Sequence, residues 1–358
     1  MSDPFQALTR YAEQRVRNTE PRARRVPATS AQRAMVLMEQ LAGGRTGYSV
    51  RHAYQLRGRL DIAALTNALQ HVLSMHGALR TRFQMQSDTL WQLVEPEPRL
   101  DLAMFDLTGS AIRRSLAEVI DDRLTEPLDL ELGPVMRAEL YTVEEQLHAL
   151  VLCTHHATND ATSVAIVGQD LSAAYEHFID AGTALPLPPR QFDGFAEAEA
   201  AISHEDAAAY WASLLADAPA TGLPFDLQPG PDPTFEALWV RRKVEHNLDG
   251  LAALAAANGT SVFLVLLTAI GIAVARQAGN ADRAVLATTV STRPEEYERT
   301  VGPFVNTISV LIPAGAQFEV ALKETASQLR RSLDHAAVPF EDVAPVGTQV
   351  ESMPVLPV

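Results

Sequence analysis

Apolar and polar positions along this chain repeat with two different periods, and the period changes from segment to segment. Ile62, Leu65, Ala68, Leu69 and Val72 fall on one side of a 3.6-residue spiral, which predicts a helix over Asp61 to Ser74. Val164, Val167, Leu171, Ala174, Tyr175 and Phe178 do the same for a helix over Ser163 to Ala181. Ile112, Leu116, Val119 and Ile120 predict another between Ile112 and Arg123, and Ser30 ahead of Ala31 to Met38 reads as a capped helix start. Strand patterns lie between these helices: Tyr48 to Gly58 alternates, Val135 to Thr142 follows the third helix, and Leu147 to Thr154 is apolar enough for a strand buried on both faces. Thr81 to Gln86 and Thr89 to Val94 predict a hairpin across Ser87 and Asp88. In the C-terminal half a helix is expected from Ser203 through Tyr210, Trp211, Leu214 and Leu215, then a strand at Ala237 to Val244. A buried helix over Ser261 to Gln277 and strands at Ala284 to Val290 and Asn306 to Ile312 complete the pattern.

Strands and helices that alternate in this way predict a layered α/β (α+β) protein. The 358 residues are enough for two cores. Leu185-Pro186-Leu187-Pro188-Pro189-Arg190 interrupts the pattern and is the expected linker. The reading is therefore a charged leader over 1–27 with a short helix at Phe5 to Arg17, a first lobe over 28–184, the linker over 185–190 and a second lobe over 191–358.

Lys plus Arg number 29 and Asp plus Glu 44, a net charge of −15, which argues against a nucleic-acid partner. Arg15, Arg17, Arg22, Arg24 and Arg25 form the densest basic cluster and read as a solvated arm. One cysteine excludes an intrachain disulfide and fits a reducing cytoplasm. No secretory signal is expected, because the first 25 residues lack an apolar core behind their charges. The longest apolar run, Val262 to Ala275, is too short for a bilayer span, so no membrane segment is expected.

The chemistry concentrates at His155-His156-Ala157-Thr158-Asn159-Asp160-Ala161-Thr162-Ser163, an HHxxxD run between the buried strand and the helix that follows. A helix start presents unpaired N–H groups and partial positive charge, with Thr162 or Ser163 as its expected cap. An imidazole beside it titrates near neutrality and takes a proton from an incoming nucleophile. On the residues alone, a hydrogen-bonded structural histidine competes with this catalytic reading. A metal site is disfavoured, since the chain has neither CxxC nor HExxH.

Six segments, in order, resemble the motifs of the condensation domains of nonribosomal peptide synthetases, within the HHxxxD acyltransferases related to chloramphenicol acetyltransferase. Ser30-Ala31-Gln32 resembles SxAQ, and His76-Gly77-Ala78-Leu79-Arg80-Thr81-Arg82-Phe83 resembles RHExLRTxF. His155 to Ser163 is similar to HHxxxDGxS, and Phe192-Asp193-Gly194-Phe195-Ala196 to YxDFA. Val301-Gly302-Pro303-Phe304-Val305-Asn306-Thr307 carries GPFVNT, and His335-Ala336-Ala337-Val338-Pro339-Phe340-Glu341 resembles HQxxPFE.

The resemblance implies two chloramphenicol acetyltransferase-like lobes in a V around a tunnel, entered by donor and acceptor on the phosphopantetheine arms of carrier proteins or other synthetase modules. It makes His155 and His156 the catalytic pair. His156 deprotonates or orients an acceptor amine that attacks a donor thioester, and His155 fixes the turn. Asp160 becomes a structural acid paired with Arg293, while Ala161, Ser163, Phe304 and Asn306 line the tunnel. No cofactor is expected on the chain itself. Two departures stand out. Ala161 replaces the motif's glycine, and family members continue further beyond the PFE segment, so the expectation is either an abbreviated second lobe or a sequence truncated from a longer protein. With no adenylation or carrier segment, the chain is expected to act in trans, making an amide. The alternatives are an ester-forming acyltransferase with a hydroxyl acceptor, and a noncatalytic module that recruits carriers or a partner enzyme.

Overall fold

The computed structural model describes residues 23–41, 48–97, 99–100, 102–108, 127–202, 205–216, 248–279 and 282–339. The helices expected at 5–17 and 112–123, the strand at 237–244, Arg15, Arg17, Arg22, Phe340 and Glu341 lie outside these residues. The chain divides into two compact units. The described residues up to Ala201, with Pro294–Pro303, form one, and the remainder forms the other.

In the first unit the elements run β1 (Arg24–Pro27), α1 (Ser30–Leu41), β2 (Ser49–Arg57), α2 (Ile62–Met75), β3 (Thr81–Gln86), β4 (Thr89–Val94), β5 (Leu102–Asp106), β6 (Met136–Glu144), β7 (Leu147–His155), α3 (Ala161–Ile179) and α4 (Phe192–Glu199). They make two sheets, β1-β4-β3 and β2-β7-β6-β5, antiparallel apart from the β5–β6 pair. The hairpin expected between β3 and β4 is present, and Ser87 (φ 48°) and Asp88 (φ 62°) turn it in the left-handed region that two-residue hairpins require.

β7 is the centre of the larger sheet, flanked by β2 and β6 and buried at every position after Leu147. Its two faces meet different layers. Ala149, Val151 and Cys153 join Val36, Phe83, Leu90 and Tyr141 in one core. On the opposite face Leu150 borders a cleft shared with Leu65 of α2 and Leu171 of α3. Each Val or Leu side chain among these contributes about 1.5–3 kcal/mol when withdrawn from water, which is why a strand with apolar residues on both faces lies inside.

Two helix starts differ from the sequence reading. α1 is capped by Thr29 rather than Ser30: Thr29 N donates to Gln32 Oε1 (3.0 Å) and Gln32 N to Thr29 Oγ1 (3.3 Å), a reciprocal capping box. α3 is capped by Asp160, not by Thr162 or Ser163. The basic arm is also corrected at its described end. Arg24 and Arg25 belong to β1, whose Val26 is fully buried; Arg24 pairs with Asp193 (2.8 Å) and Glu197 (3.0 Å), and Arg25 lies 3.9 Å over the Trp91 ring.

The proline stretch 185–190 belongs to the first unit and does not separate the two. Pro186 O bonds His71 Nε2, Arg190 O accepts from Thr300, and Gln191 ties Met75 O to Gly77 N. Polar backbone that is saturated by neighbours in this way behaves as packed structure rather than as tether.

The second unit holds α5 (Glu205–Leu215), α6 (Leu248–Ala257), α7 (Val262–Gln277), β8 (Arg283–Ser291), β9 (Val305–Pro313) and α8 (Phe318–Asp334), with β8 and β9 antiparallel. Leu267, Leu286, Val310 and Ile312 form one core cluster, and Trp211, Ile308, Ala336 and Val338 another. α7 is only partly the buried helix expected. Val265, Leu267, Thr268, Gly271 and Ala275 are buried, while Phe263, Leu266 and Ile270 are exposed. Gly271 is needed for close helix–sheet approach, since a Cβ there would stand 2.3 Å from Ile312 Cδ1. Among the described residues no single helix is long and apolar enough to cross a membrane.

Candidate active site

The HHxxxD residues form the turn by which β7 becomes α3. β7 pairs with β2 up to Ser49–His155, and His156 N donates to Tyr48 O (2.8 Å) as the ladder closes. One turn of 3-10 helix, His156–Thr158, then redirects the chain. The sequence pattern correctly placed the histidine pair between strand and helix.

The two histidines have opposite environments. His155 is fully buried, its Nδ1 accepts the Ala157 N–H (3.0 Å), and its carbonyl accepts from Thr158 Oγ1 (2.8 Å) and Asn159 Nδ2 (3.1 Å). Burial pushes its pKa down to about 4, with His156 adding a smaller effect, so the ring is neutral at neutral pH. His156 is half-buried and its Nδ1 lies 3.3 Å from Asn159 O. A carbonyl only accepts, so the neutral His156 ring carries its proton on Nδ1 and presents Nε2 as a lone pair.

Asp160 works within the turn. Its Oδ1 accepts from Ser163 N (2.8 Å) and from Ser163 Oγ (2.7 Å), which caps α3. Ser163 Oγ is also 3.0 Å from both the nitrogen and the oxygen of Gly302, so it receives the Gly302 N–H and shares its one proton between acceptors. Gly302 packs so closely that a Cβ there would stand 2.1 Å from the Phe192 ring. The Val301-Gly302-Pro303 part of the fifth motif is thereby seated on the helix that begins at Asp160.

Two groups near this turn, one buried and one half-buried, were not singled out from sequence. Asp170, two turns further along α3, bonds His76 Nε2 (2.9 Å), Arg299 donates to it (2.5 Å), and Arg299 also donates to Gln169 (2.7 Å). Its signal was an acid at an inward position of an apolar helix face, between Val167 and Ala174. His52 of β2 stands near enough to His156 for that ring to reinforce the lowering of its pKa by burial. Among the described residues no set of three His, Cys, Asp or Glu side chains is grouped to hold a metal.

Ala161, the residue in place of the motif glycine, is exposed at the first position of α3 and is absent from the positive-φ residues. The backbone conformation that alanine resists is therefore not required here. In the second unit Arg293 stacks 4.1 Å over the ring of the fully buried Phe304. Asn306 commits both amide hydrogens to Ala336 O (2.7 Å) and Val338 O (2.6 Å), and its oxygen accepts Thr307 N (2.8 Å). Its hydrogens hold the turn after α8. Asp160 and Ser163 thus belong to the first unit, Arg293, Phe304 and Asn306 to the second.

Residues 22–353 match the family model described as Condensation domain. The chain is 30% identical over 335 residues to chondramide synthase of Chondromyces crocatus, and 31% identical over 340 residues to tyrocidine synthase 2 of Brevibacillus parabrevis. These alignments cover 90% and 92% of the chain but only 8% and 9% of those relatives, so the chain spans under a tenth of their length. A structure of the X-domain with OxyB from teicoplanin biosynthesis superposes with TM-score 0.81 at 26% identity, covering 94% of this chain and 77% of that one. The first condensation domain of the calcium-dependent antibiotic synthetase, solved with a substrate analogue, gives TM-score 0.72 at 22% identity, covering 91% and 80%. The motif order, the β7–α3 turn and these matches agree: the chain belongs to the condensation-domain family of nonribosomal peptide synthetases.

Proposed function

We propose that this condensation domain forms an amide between an acyl or aminoacyl thioester, carried on the phosphopantetheine of a carrier protein, and an amine acceptor. The observation that carries the reading is His156, whose Nδ1 bond to Asn159 O leaves Nε2 free to accept a proton at a helix start. The amine nitrogen attacks the thioester carbonyl carbon, the C–N bond forms, and His156 Nε2 takes the proton as attack proceeds. The C–S bond then breaks and the carrier thiol leaves, taking a proton from the imidazolium.

Magnitudes favour a modest base. An α-amine has a reference pKa of about 8, so an appreciable part is already neutral near pH 7. A positioned base contributes about 10²- to 10⁴-fold. Holding two reactants in line supplies about 7–11 kcal/mol, the larger share. The same His156 serves a hydroxyl acceptor, so ester formation differs from this reading in the acceptor alone.

The test is mass spectrometry of acyl transfer from pantetheine and carrier-protein thioesters to a panel of amines and alcohols, comparing the parent with His156→Ala. An amide product lost in the variant supports the proposal; an ester product assigns the hydroxyl acceptor. A second reading, a module that recruits a partner rather than performing transfer, is favoured by the similarity to an X-domain solved with OxyB. It predicts a folded parent that binds a partner protein and makes no product with any acceptor.

A further inference from the structure

Helix α1 turns an unusual face to the interior. Its buried residues are Gln32, Val36 and Glu39, at 1%, 2% and 6% exposure, spaced four and three apart and so on one side of the helix. Two of the three are polar, and both act on the histidine turn. Gln32 Nε2 lies 3.0 Å from Ala157 O and 3.0 Å from Gln92 Oε1. Two helical turns later, Glu39 Oε2 lies 3.7 Å from His155 Nε2.

Among the described residues, both carboxyl oxygens of Glu39 and Nε2 of His155 are buried without a hydrogen-bond partner. A carboxyl group withdrawn from water without a partner is costly, so its place beside the one open nitrogen of a buried imidazole needs a reason. The backbone determines which partner donates. Because Ala157 N–H occupies Nδ1, the neutral His155 ring holds its proton on Nε2, the atom next to Glu39. A carboxyl donor is excluded, since Nε2 has no lone pair in that tautomer, so Glu39 accepts. From 3.7 Å a small side-chain rotation brings the pair into hydrogen-bond range.

We propose that Glu39 is a positioning residue of the HHxxxD turn: its carboxyl accepts the Nε2–H of His155 and, with Gln32 on Ala157, fixes the turn that presents His156. The links form a closed path, from Glu39 through the His155 ring to Ala157 N–H, along the Ala157 backbone to its carbonyl and Gln32, and back along α1. Neither histidine of the motif then depends on the motif alone, since the orientation of His156 is inherited from a helix that begins 126 positions earlier, at Ser30. Desolvation acts in the same sense, as it keeps His155 neutral and so keeps the Nδ1 lone pair that accepts Ala157 N–H and places the single ring proton on Nε2.

The pairing is read without substrate, from long-range ¹H–¹⁵N correlation spectra of the histidine-labelled chain near pH 7. His155 is assigned by the resonance missing in His155→Gln. The parent should show a downfield, slowly exchanging Nε2–H. Glu39→Gln should keep it, because an amide oxygen also accepts, and Glu39→Leu should lose it with circular dichroism unchanged. The kinetic arm rests on the acyl-transfer reading above: in Glu39→Leu kcat should fall about tenfold with KM unchanged, and Glu39→Gln should recover to within about threefold. A parent with no transfer activity would defeat that reading and leave the spectral arm to decide the pairing. A His155 resonance unaltered in Glu39→Leu, or lost equally in Glu39→Gln, would overturn the proposal.

Discussion

His156 and His155 are adjacent in sequence and differ in how each depends on the fold. His156 is half-buried and its ring is anchored, among the described residues, by a single 3.3 Å bond, so loss of the side chain removes little packing. We expect His156→Ala to lower acyl transfer by about 10²- to 10⁴-fold while the unfolding free energy from urea titration falls by under about 1 kcal/mol; a fall in both together would mark a structural residue. His155 is the reverse case, and its chemistry is legible in acid. The unfolded imidazole binds its proton near pH 6.5 and the buried one only near 4. Between those values the unfolded state holds more protons, so stability falls as pH falls, by about 3 kcal/mol over the whole window, and is unaffected above it. Glu39 acts oppositely, because burial raises its pKa, so the unfolded chain gives up that proton first and the penalty grows as pH rises from 4.5. The measurement is urea unfolding at half-unit steps from pH 7 to 4, in the parent and in His155→Gln. The variant should lose less stability on acidification, and parallel curves would remove His155 as the group responsible.

At the scale of elements, Asp160 decides how α3 begins. Its carboxylate caps the helix and holds Ser163, a role that an amide oxygen also fills. Asp160→Ala should therefore cost about 0.5–2 kcal/mol from the cap, with the Ser163 hydroxyl still held by Gly302, while Asp160→Asn stays closer to the parent in chemical denaturation and in transfer rate. Equal loss of transfer in both, with the fold intact, would point instead to a role for the negative charge. The same comparison shows what periodicity could reveal. α2 and α3 were readable because Leu65, Leu69, Val72, Val167 and Leu171 carry the helical period, and β7 because Ala149 to Cys153 runs without a polar residue. α8 went unread because its inner face is Ala321, Leu322, Thr325, Gln328 and Ser332, mostly small or polar. β1 was hidden by its two arginines, whose charges are satisfied by Asp193 and Glu197 and by an aromatic ring far along the chain. The histidine turn was found from its residue types, whereas Glu39, His52 and Asp170 became visible only through the contacts that tertiary structure supplies.

On the scale of the whole molecule, the path of the chain matters more than the proline stretch. It leaves the first unit after Ala201, returns for Pro294–Pro303, and leaves again at Phe304, so the connection between β8 and β9 is part of the first unit. Among the described residues, three hydrogen-bonded anchors hold that returning segment. Arg299 bonds Asp170 and Gln169, Thr300 Oγ1 bonds Arg190 O (2.8 Å), and Gly302 bonds Ser163. The first is the one with buried charge, since the Asp170 side chain is 6% exposed and faces only His76 besides Arg299 among the bonds described. Charged hydrogen bonds contribute about 1.5–3 kcal/mol each, reduced here because the Arg299 side chain is half exposed. Arg299→Gln should therefore destabilise the first unit by about 1–2 kcal/mol and loosen the seat of Gly302 on Ser163, lowering transfer without altering His156 itself. Arg299→Lys gives the decisive contrast. A guanidinium spans Gln169 and Asp170 with two nitrogens, whereas an ammonium is a single point of charge. The lysine variant should restore most of the stability through the charge and less of the rate, because the segment regains its attachment but not its two-point registration. If lysine restores both fully, the anchor is electrostatic alone, and if neither variant differs from the parent, the segment is held by Gly302 and Thr300.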